Sequence, residues 1–351
     1  MSTKENNMDI KKKRIAVLSP VAWRTPPREY GAWETVAGNI TEGLTARGWD
    51  VTLFATKDSI TKAKLQWTVE KGYEEDKSQV PKVSECLHIS HLVEQADKFD
   101  LIHNNFDYLP LTYTRLIKTP MLTTIHGFSE PDILRAYRKY KDSYFVSISD
   151  ADRDSQLPYL ATVYNGIDIK QLTFRETPGS DLVFLGRIHP DKGVHLAIET
   201  AKKCGMNLII AGIIQDSSYF NDQIKPHLNN SSVQYIGPVN PKLRDELFSK
   251  AYASLHLNTI PERFGLVMAE SMAAGVPVIA ADLGSCREVI ADKQTGYLVN
   301  NVAQAAKAVK NIDKIDRHQC RKRVEENFTI EQMVSDYEKV YKTIFEEENE
   351  K

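Results

Sequence analysis

Short apolar runs alternate along this chain with longer stretches whose apolar positions recur at helical spacing, the mark of a parallel sheet covered by helices. In the first half the runs are RIAVLSP (14–20), WDVTLFAT (49–56), FDLIHNN (99–105), TPMLTTIHG (119–127), DSYFVSIS (142–149) and the short ATVYNGID (161–168). The helical pattern ETVAGNITEGLTARG stops at Gly48, and Lys57 to Val80, charged and without clear period, is expected to be an irregular excursion. Residues 169–180 carry a Thr-Pro-Gly-Ser cluster and are expected to form a linker. A second series follows: DLVFLG (181–186), MNLIIAG (206–212), SVQYIG (232–237), AYASLHLN (251–258), VPVIAA (276–281) and TGYLV (295–299). Helices at about 301–311, 317–326 and 330–347 close the chain, and the acidic EEENEK is expected to fray. The fold class is α/β, with two doubly wound, Rossmann-like domains in succession and a ligand cleft expected between their strand ends.

Composition narrows the function classes. A chain of 351 residues exceeds a typical single core, which fits two domains. Hydrophobic residues at 42% and charged ones at 26% describe a soluble globular protein, and a net charge of −2 gives no case for nucleic acid as the main partner. Cys86, Cys204, Cys286 and Cys320 lack C-x-x-C spacing and read as free thiols in a reducing compartment, with no zinc site. The N-terminal MSTKENNMDIKKKR is polar and basic, reads as a short disordered arm, and is followed by no apolar stretch long enough for a signal peptide or membrane span. The expected location is cytoplasmic, with room for a weak peripheral contact at the inner face of the membrane.

Candidate chemistry concentrates in PERFGLVMAESMAAGVPVIAA (261–281). Glu262 is expected on a loop, a helix from about Phe264 to Ala274 follows, and Glu270 lies well inside that helix. A helix opening beside Gly265 presents unpaired backbone N–H groups, a natural anion site. Two carboxylates around such a turn suit a nucleotide-sugar, one Glu bonding hydroxyls of the sugar and the other the ribose. Upstream, GRIHPDKG (186–193) sets Arg187 and Lys192 five apart at a helix start, where two cations can neutralise a diphosphate. His126 ends a buried strand, where open α/β sheets place ligand residues, and His103 and Asn104 end the preceding one. Ordinary solvated or core roles would explain each of these residues taken singly.

Taken together they resemble the retaining glycosyltransferases of family 4. The segment from Glu262 is similar to the E-x7-E signature of that family through Phe-Gly, Glu270, Met-Ala-Ala-Gly and the Pro-Val-Ile-Ala strand, and GRIHPDKG resembles its G-R-x-x-P-x-K-G element. The resemblance implies a GT-B fold, with residues 1–168 and about 330–351 on the acceptor side and 169–329 binding the donor. It implies transfer of a sugar from a nucleotide diphosphate sugar, UDP first and GDP next, to a hydroxyl of a glycan, lipid-linked or small-molecule acceptor. A metal-independent, front-face route with retention is implied, and neither cofactor nor metal is expected. By the same resemblance Arg187 and Lys192 hold the diphosphate, and Glu262 and His126 act at the reacting sugar. Gly31, Gly186, Val239, Phe264, Gly265, Leu266, Val267 and Glu270 line the donor. Ser285 and Glu288 correspond to a phosphate-facing loop. The loop PVAWRTPPREYGAWE departs from the family's paired glycines, since only Gly31 matches. It resembles a bacterial subgroup in which Arg24, Arg28 or Glu29 would shape the acceptor pocket, with His103 and Asn104 also on the acceptor side. RAYRKYKD (135–142) sits where some relatives touch anionic lipid, and a solvated helix face explains it as well.

Two other readings stay open. A nucleotide-sugar epimerase can share the two-domain shape; release of free nucleotide only when an acceptor is present would exclude it. A non-catalytic nucleotide- or glycan-binding protein would bind the donor without turnover. A dehydrogenase is disfavoured because no G-x-G-x-x-G follows the first strand.

Overall fold

A computed structural model describes residues 12–128, 131–228 and 232–350. Most of the expected N-terminal arm lies outside the described residues. The chain divides into two compact units: one runs to Gly166 and takes up the chain again from Ile330, and the other is Ile167–Thr329.

The first unit is a seven-stranded parallel sheet. Its strands are β1 (Arg14–Leu18), β2 (Asp50–Phe54), β3 (Lys64–Gln66), β4 (Leu101–Asn104), β5 (Met121–Ile125), β6 (Tyr144–Ser147) and β7 (Tyr159–Thr162), in the order β3-β2-β1-β4-β5-β6-β7. The inner strands are almost wholly buried because helices cover both faces of a parallel sheet. β3 is a correction to the sequence reading: Lys-Leu-Gln is too short and polar to show a period, and it forms by pairing with β2 at the sheet edge.

Helix α1 (Ala32–Ala46) buries Val36, Ala37, Ile40, Thr41 and Leu44, the stripe expected of a helix lying on a sheet. The other helices of this unit before the final one are α2 (Pro81–Val93) and α3 (Leu134–Lys139). The RAYRKYKD segment falls largely on α3. Its Tyr137 and Tyr140 are buried in the core, and Arg135 and Arg138 pair with Asp132 and Asp154.

The second unit is a six-stranded parallel sheet of β8 (Asp181–Leu185), β9 (Leu208–Ala211), β10 (Val233–Tyr235), β11 (Ala251–His256), β12 (Val278–Ala281) and β13 (Gly296–Val299), ordered β10-β9-β8-β11-β12-β13. Its helices include α4 (Val194–Cys204), α5 (Pro241–Ser249), α6 (Leu266–Ala273), α7 (Cys286–Val289), α8 (Val302–Val309) and α9 (Arg317–Asn327). The segment expected as a linker is bound to this unit instead: Arg175 donates its backbone N–H to Ala274 O at 3.1 Å and pairs with Asp245 at 2.8 Å.

The final helix, α10 (Ile330–Asn349), belongs to the first unit. It buries Met333, Val334, Tyr337, Val340, Tyr341, Ile344 and Phe345, and it continues through most of the tail expected to fray. A Cβ on Gly43 of α1 would lie 2.4 Å from Val334 Cγ2, so only glycine lets the two helices meet this closely. In each sheet the strand order reverses beside the unit's first strand, between β1 and β4 and between β8 and β11. Loops leaving the carboxyl ends of the strands diverge at such a reversal and leave a crevice for a ligand.

Candidate active site

In the second unit the loops after β8 and β11 meet at that reversal. Past β8 the chain runs through Gly186, Arg187 and a single turn at Pro190–Lys192 before entering α4. Gly193 closes the turn in the left-handed region at φ 64°, and a Cβ there would sit 1.9 Å from Leu257 O. The backbone of one loop thus rests on the end of β11, and Thr259 N–H donates to Asp191 O at 2.9 Å.

That contact brings Lys192 to Glu262. Glu262 Oε2 accepts from the Lys192 ammonium at 2.6 Å, from His256 Nε2 at 2.7 Å and from Asn258 Nδ2 at 2.6 Å. The other oxygen, Oε1, accepts the Arg263 backbone N–H at 3.0 Å. Burial alone would push the Glu262 carboxyl up. The His256 hydrogen bond, the Lys192 charge and their companions outweigh it and hold the group well below the usual carboxylate range. Glu262 is therefore an anion held in place from several sides, and Lys192 keeps two further N–H donors. Ser285 N–H donates to Glu262 O at 3.0 Å and fixes the same loop from the β12 side.

Phe264 is buried behind this loop, and Gly265 at φ 85° is the N-cap of α6. The N–H groups of Leu266 and Val267 open the helix without intrahelical partners, as the first groups of any helix do. Further along α6, Glu270 is buried and receives Arg244 Nη1 of α5 on Oε1 at 2.6 Å. Burial raises the Glu270 carboxyl, and Arg244 offsets part of that rise. Arg187 donates to Gln215 Oε1. Val239 is buried in the turn that precedes α5. Among the described residues no three His, Cys, Asp or Glu side chains gather as a metal site.

In the first unit His126 follows β5 directly and is buried, with its ring stacked on Trp33 at 5.5 Å. Its Nε2 bonds Asn105 Oδ1 at 3.0 Å, and burial lowers its pKa to about 3, so the ring is neutral at physiological pH. His103 does not reach an acceptor site. It is fully buried, with Nδ1 on Tyr341 Oη at 2.6 Å and Nε2 on Thr124 Oγ1 at 2.8 Å, and it ties α10 to the sheet. Asn104 likewise spends its amide locally, on Asp107 O, Thr123 Oγ1 and Phe106 N–H. Arg28 is half-exposed and paired with Asp58 at 2.9 Å and with Glu75. Gly31 makes room for a neighbour of its own chain: a Cβ there would lie 2.9 Å from Glu34 Oε2 and 3.0 Å from Pro27 Cβ.

Two family models match successive parts of the chain, Glycosyltransferase Family 4 over residues 33–171 and Glycosyl transferases group 1 over residues 168–328. The chain belongs to glycosyltransferase family 4. An uncharacterized glycosyltransferase of Methanocaldococcus jannaschii is 24% identical to this transferase over 302 residues, 76% of this chain and 84% of the relative. A GDP-mannose:cellobiosyl-diphosphopolyprenol alpha-mannosyltransferase of Komagataeibacter xylinus is 28% identical over 253 residues, 61% of this chain and 62% of the relative. The crystal structure of Anabaena HepE in complex with UDP and glucose superposes with a TM-score of 0.73 at 17% identity, over 93% of this chain and 99% of that one, a likeness of fold. The two doubly wound units are those of a GT-B glycosyltransferase.

Within each unit, several residues beside these candidates were not singled out in the sequence. His256 and Asn258 stand at the end of β11, where the strand-end rule that singled out His126 applies equally. Arg244, Asn105 and Trp33 carry no local signal, because their roles come from packing between elements. Glu34 is the most perturbed of the residues missed. It is buried in the first turn of α1, where Oε1 accepts the Trp23 N–H at 3.2 Å.

Burial drives the Glu34 carboxyl up from its usual 4.5 to about 7, against hydrogen bonds from its own N–H and that of Trp23. The folded chain therefore keeps a proton that the unfolded chain gives up near 4.5. Stability from this group is greatest below 4.5, falls as pH rises to about 7 and is level above, by on the order of 3 kcal/mol. Denaturant unfolding of wild type and Glu34→Gln at several pH values should show a decline over this interval in wild type that the variant lacks. Parallel curves would contradict the assignment.

Proposed function

We propose that this transferase moves a sugar from a nucleotide diphosphate sugar to a hydroxyl acceptor with retention of anomeric configuration. UDP-sugars are the first choice of donor and GDP-sugars the second. The observation that carries this reading is the Lys192–Glu262 pair at the β8/β11 reversal, beside the opening turn of α6. A cation with N–H donors to spare beside a fixed carboxylate suits a ligand that is anionic at one end and hydroxylated at the other.

In the reaction we infer, the bond from the anomeric carbon to the diphosphate oxygen breaks, and the acceptor oxygen bonds that carbon from the same face. The acceptor's proton passes to the departing phosphate. Arg187 and Lys192 stabilise the charge growing on the leaving group, in the role a metal ion fills elsewhere. His126, neutral and fixed by Asn105 and Trp33, is assigned to a substrate hydroxyl. Glu270 is assigned to the ribose. The mannosyltransferase relative is named for GDP-mannose and the HepE crystals contain UDP, which keeps both bases in view.

A thermal-shift screen of UDP- and GDP-sugars tests the donor class. A true donor at a hundredfold excess over its dissociation constant should stabilise the protein by about 2.7 kcal/mol. NMR of the product formed with that donor then reads the anomeric configuration, and an inverted product would overturn the retaining assignment.

A further inference from the structure

Glu262 is assigned above to the donor sugar, yet its Oε2 is already saturated. Three donors converge on that oxygen, from Lys192, His256 and Asn258, and Oε1 accepts the Arg263 N–H. Oε2, so surrounded, has no lone pair left for a sugar hydroxyl, and Oε1 keeps one. An acceptor able to take one stands beside it. Asn258 is buried, and its Oδ1 has no hydrogen-bond partner. The orientation of this amide is fixed by chemistry: the group facing the Glu262 carboxylate must be the donor Nδ2, so Oδ1 is the atom left over. Ser285, whose backbone N–H holds the Glu262 carbonyl, also has a fully buried hydroxyl without a partner. Buried polar atoms are rarely left unpaired, and the one beside the Glu262 carboxylate at a strand-order reversal points to a polar ligand that completes it.

We propose that Asn258 is a specificity-determining residue of this transferase: its Oδ1 accepts a hydroxyl of the donor sugar, while its Nδ2 holds Glu262 in place. The inference rests on the proposed nucleotide-sugar donor. Asn258 thus reads the sugar, and Glu262 orients the amide and balances Lys192. His256 fixes Glu262 from the other side and does not read that hydroxyl, which makes it the internal control.

The test uses the nucleotide-sugar selected by the thermal-shift screen and its monodeoxy analogues, each missing one sugar hydroxyl. kcat/KM is measured with wild type, Asn258→Ala and His256→Ala. In wild type one analogue should be worse than the parent donor by about tenfold, the scale of one lost hydrogen bond. That penalty should vanish in Asn258→Ala, whose overall rate is lower, and persist in His256→Ala. Should Asn258→Ala fail to fold, Asn258→Ser removes the amide oxygen with less loss of volume and serves the same comparison. An equal penalty for every analogue in wild type and the Asn258 variant overturns the proposal, and is the outcome if Oδ1 meets only water. Absence of turnover with any nucleotide-sugar would instead overturn the donor assignment itself.

Discussion

Replacing Lys192 by alanine should lower kcat/KM for sugar transfer by about 10²–10³-fold, the usual cost of removing one donor aimed at charge that develops in the transition state. The loss should fall mainly on kcat, because leaving-group charge grows after the donor is bound. Stability should fall as well. Lys192 and Glu262 are mostly buried, and removing the cation leaves the carboxylate with His256, Asn258 and the Arg263 N–H. Breaking a buried pair on one side costs about 3–5 kcal/mol, and the partial exposure of Lys192 puts the expected loss at about 3 kcal/mol or less. Lys192→Arg should recover part of the activity, since it restores the charge with a different shape. Transfer at the wild-type rate in the alanine variant would remove Lys192 from the mechanism.

Gly193→Ala should be nearly as damaging without touching a charged group. The left-handed backbone at φ 64° costs an alanine about 1 kcal/mol. The added methyl would sit 1.9 Å from Leu257 O, a backbone atom that cannot rotate away. The loop carrying Lys192 must shift, and the expected outcome is about 3 kcal/mol of lost stability with a fall in activity of about 10²-fold from misplacement of the cation. Gly205 supplies the control. It has nearly the same backbone, at φ 66°, but no atom lies within 4 Å of its would-be Cβ. Gly205→Ala should cost only about 1 kcal/mol and leave kcat/KM unchanged. Equal effects of the two substitutions, read by chemical unfolding and steady-state rates, would show that the contact with Leu257 carries no weight.

Much of this architecture could be read from the chain because buried parallel strands are written as unbroken apolar runs. β1, β5 and β12 each appear at the expected place, trimmed by two to four residues where the run outlasts the ladder. β3 could not be seen, since three residues of mixed polarity become a strand only through β2. At the site, E-x7-E and the Arg/Lys element were legible as motifs, and their loops do bring Lys192 to Glu262. The motif could not say that Glu262 Oε2 is shared among three donors, or that Arg244 reaches Glu270 from a neighbouring helix. Those are properties of tertiary packing. His103 shows the opposite failure: a histidine at a strand end looked available, but α10, more than two hundred residues later, brings Tyr341 to its Nδ1.

We propose that the second unit grips a diphosphate through Arg187 and Lys192. Isothermal titration of UDP, UMP and uridine, with the guanosine series alongside, reads that grip without needing to know the acceptor. For one of the two bases the diphosphate should bind wild type at least about tenfold more tightly than the monophosphate, on the scale of a charge-assisted hydrogen bond or two. In the Arg187→Ala/Lys192→Ala double variant that preference should disappear. Equal affinity for mono- and diphosphate in wild type, or a preference that survives loss of both cations, would contradict the account.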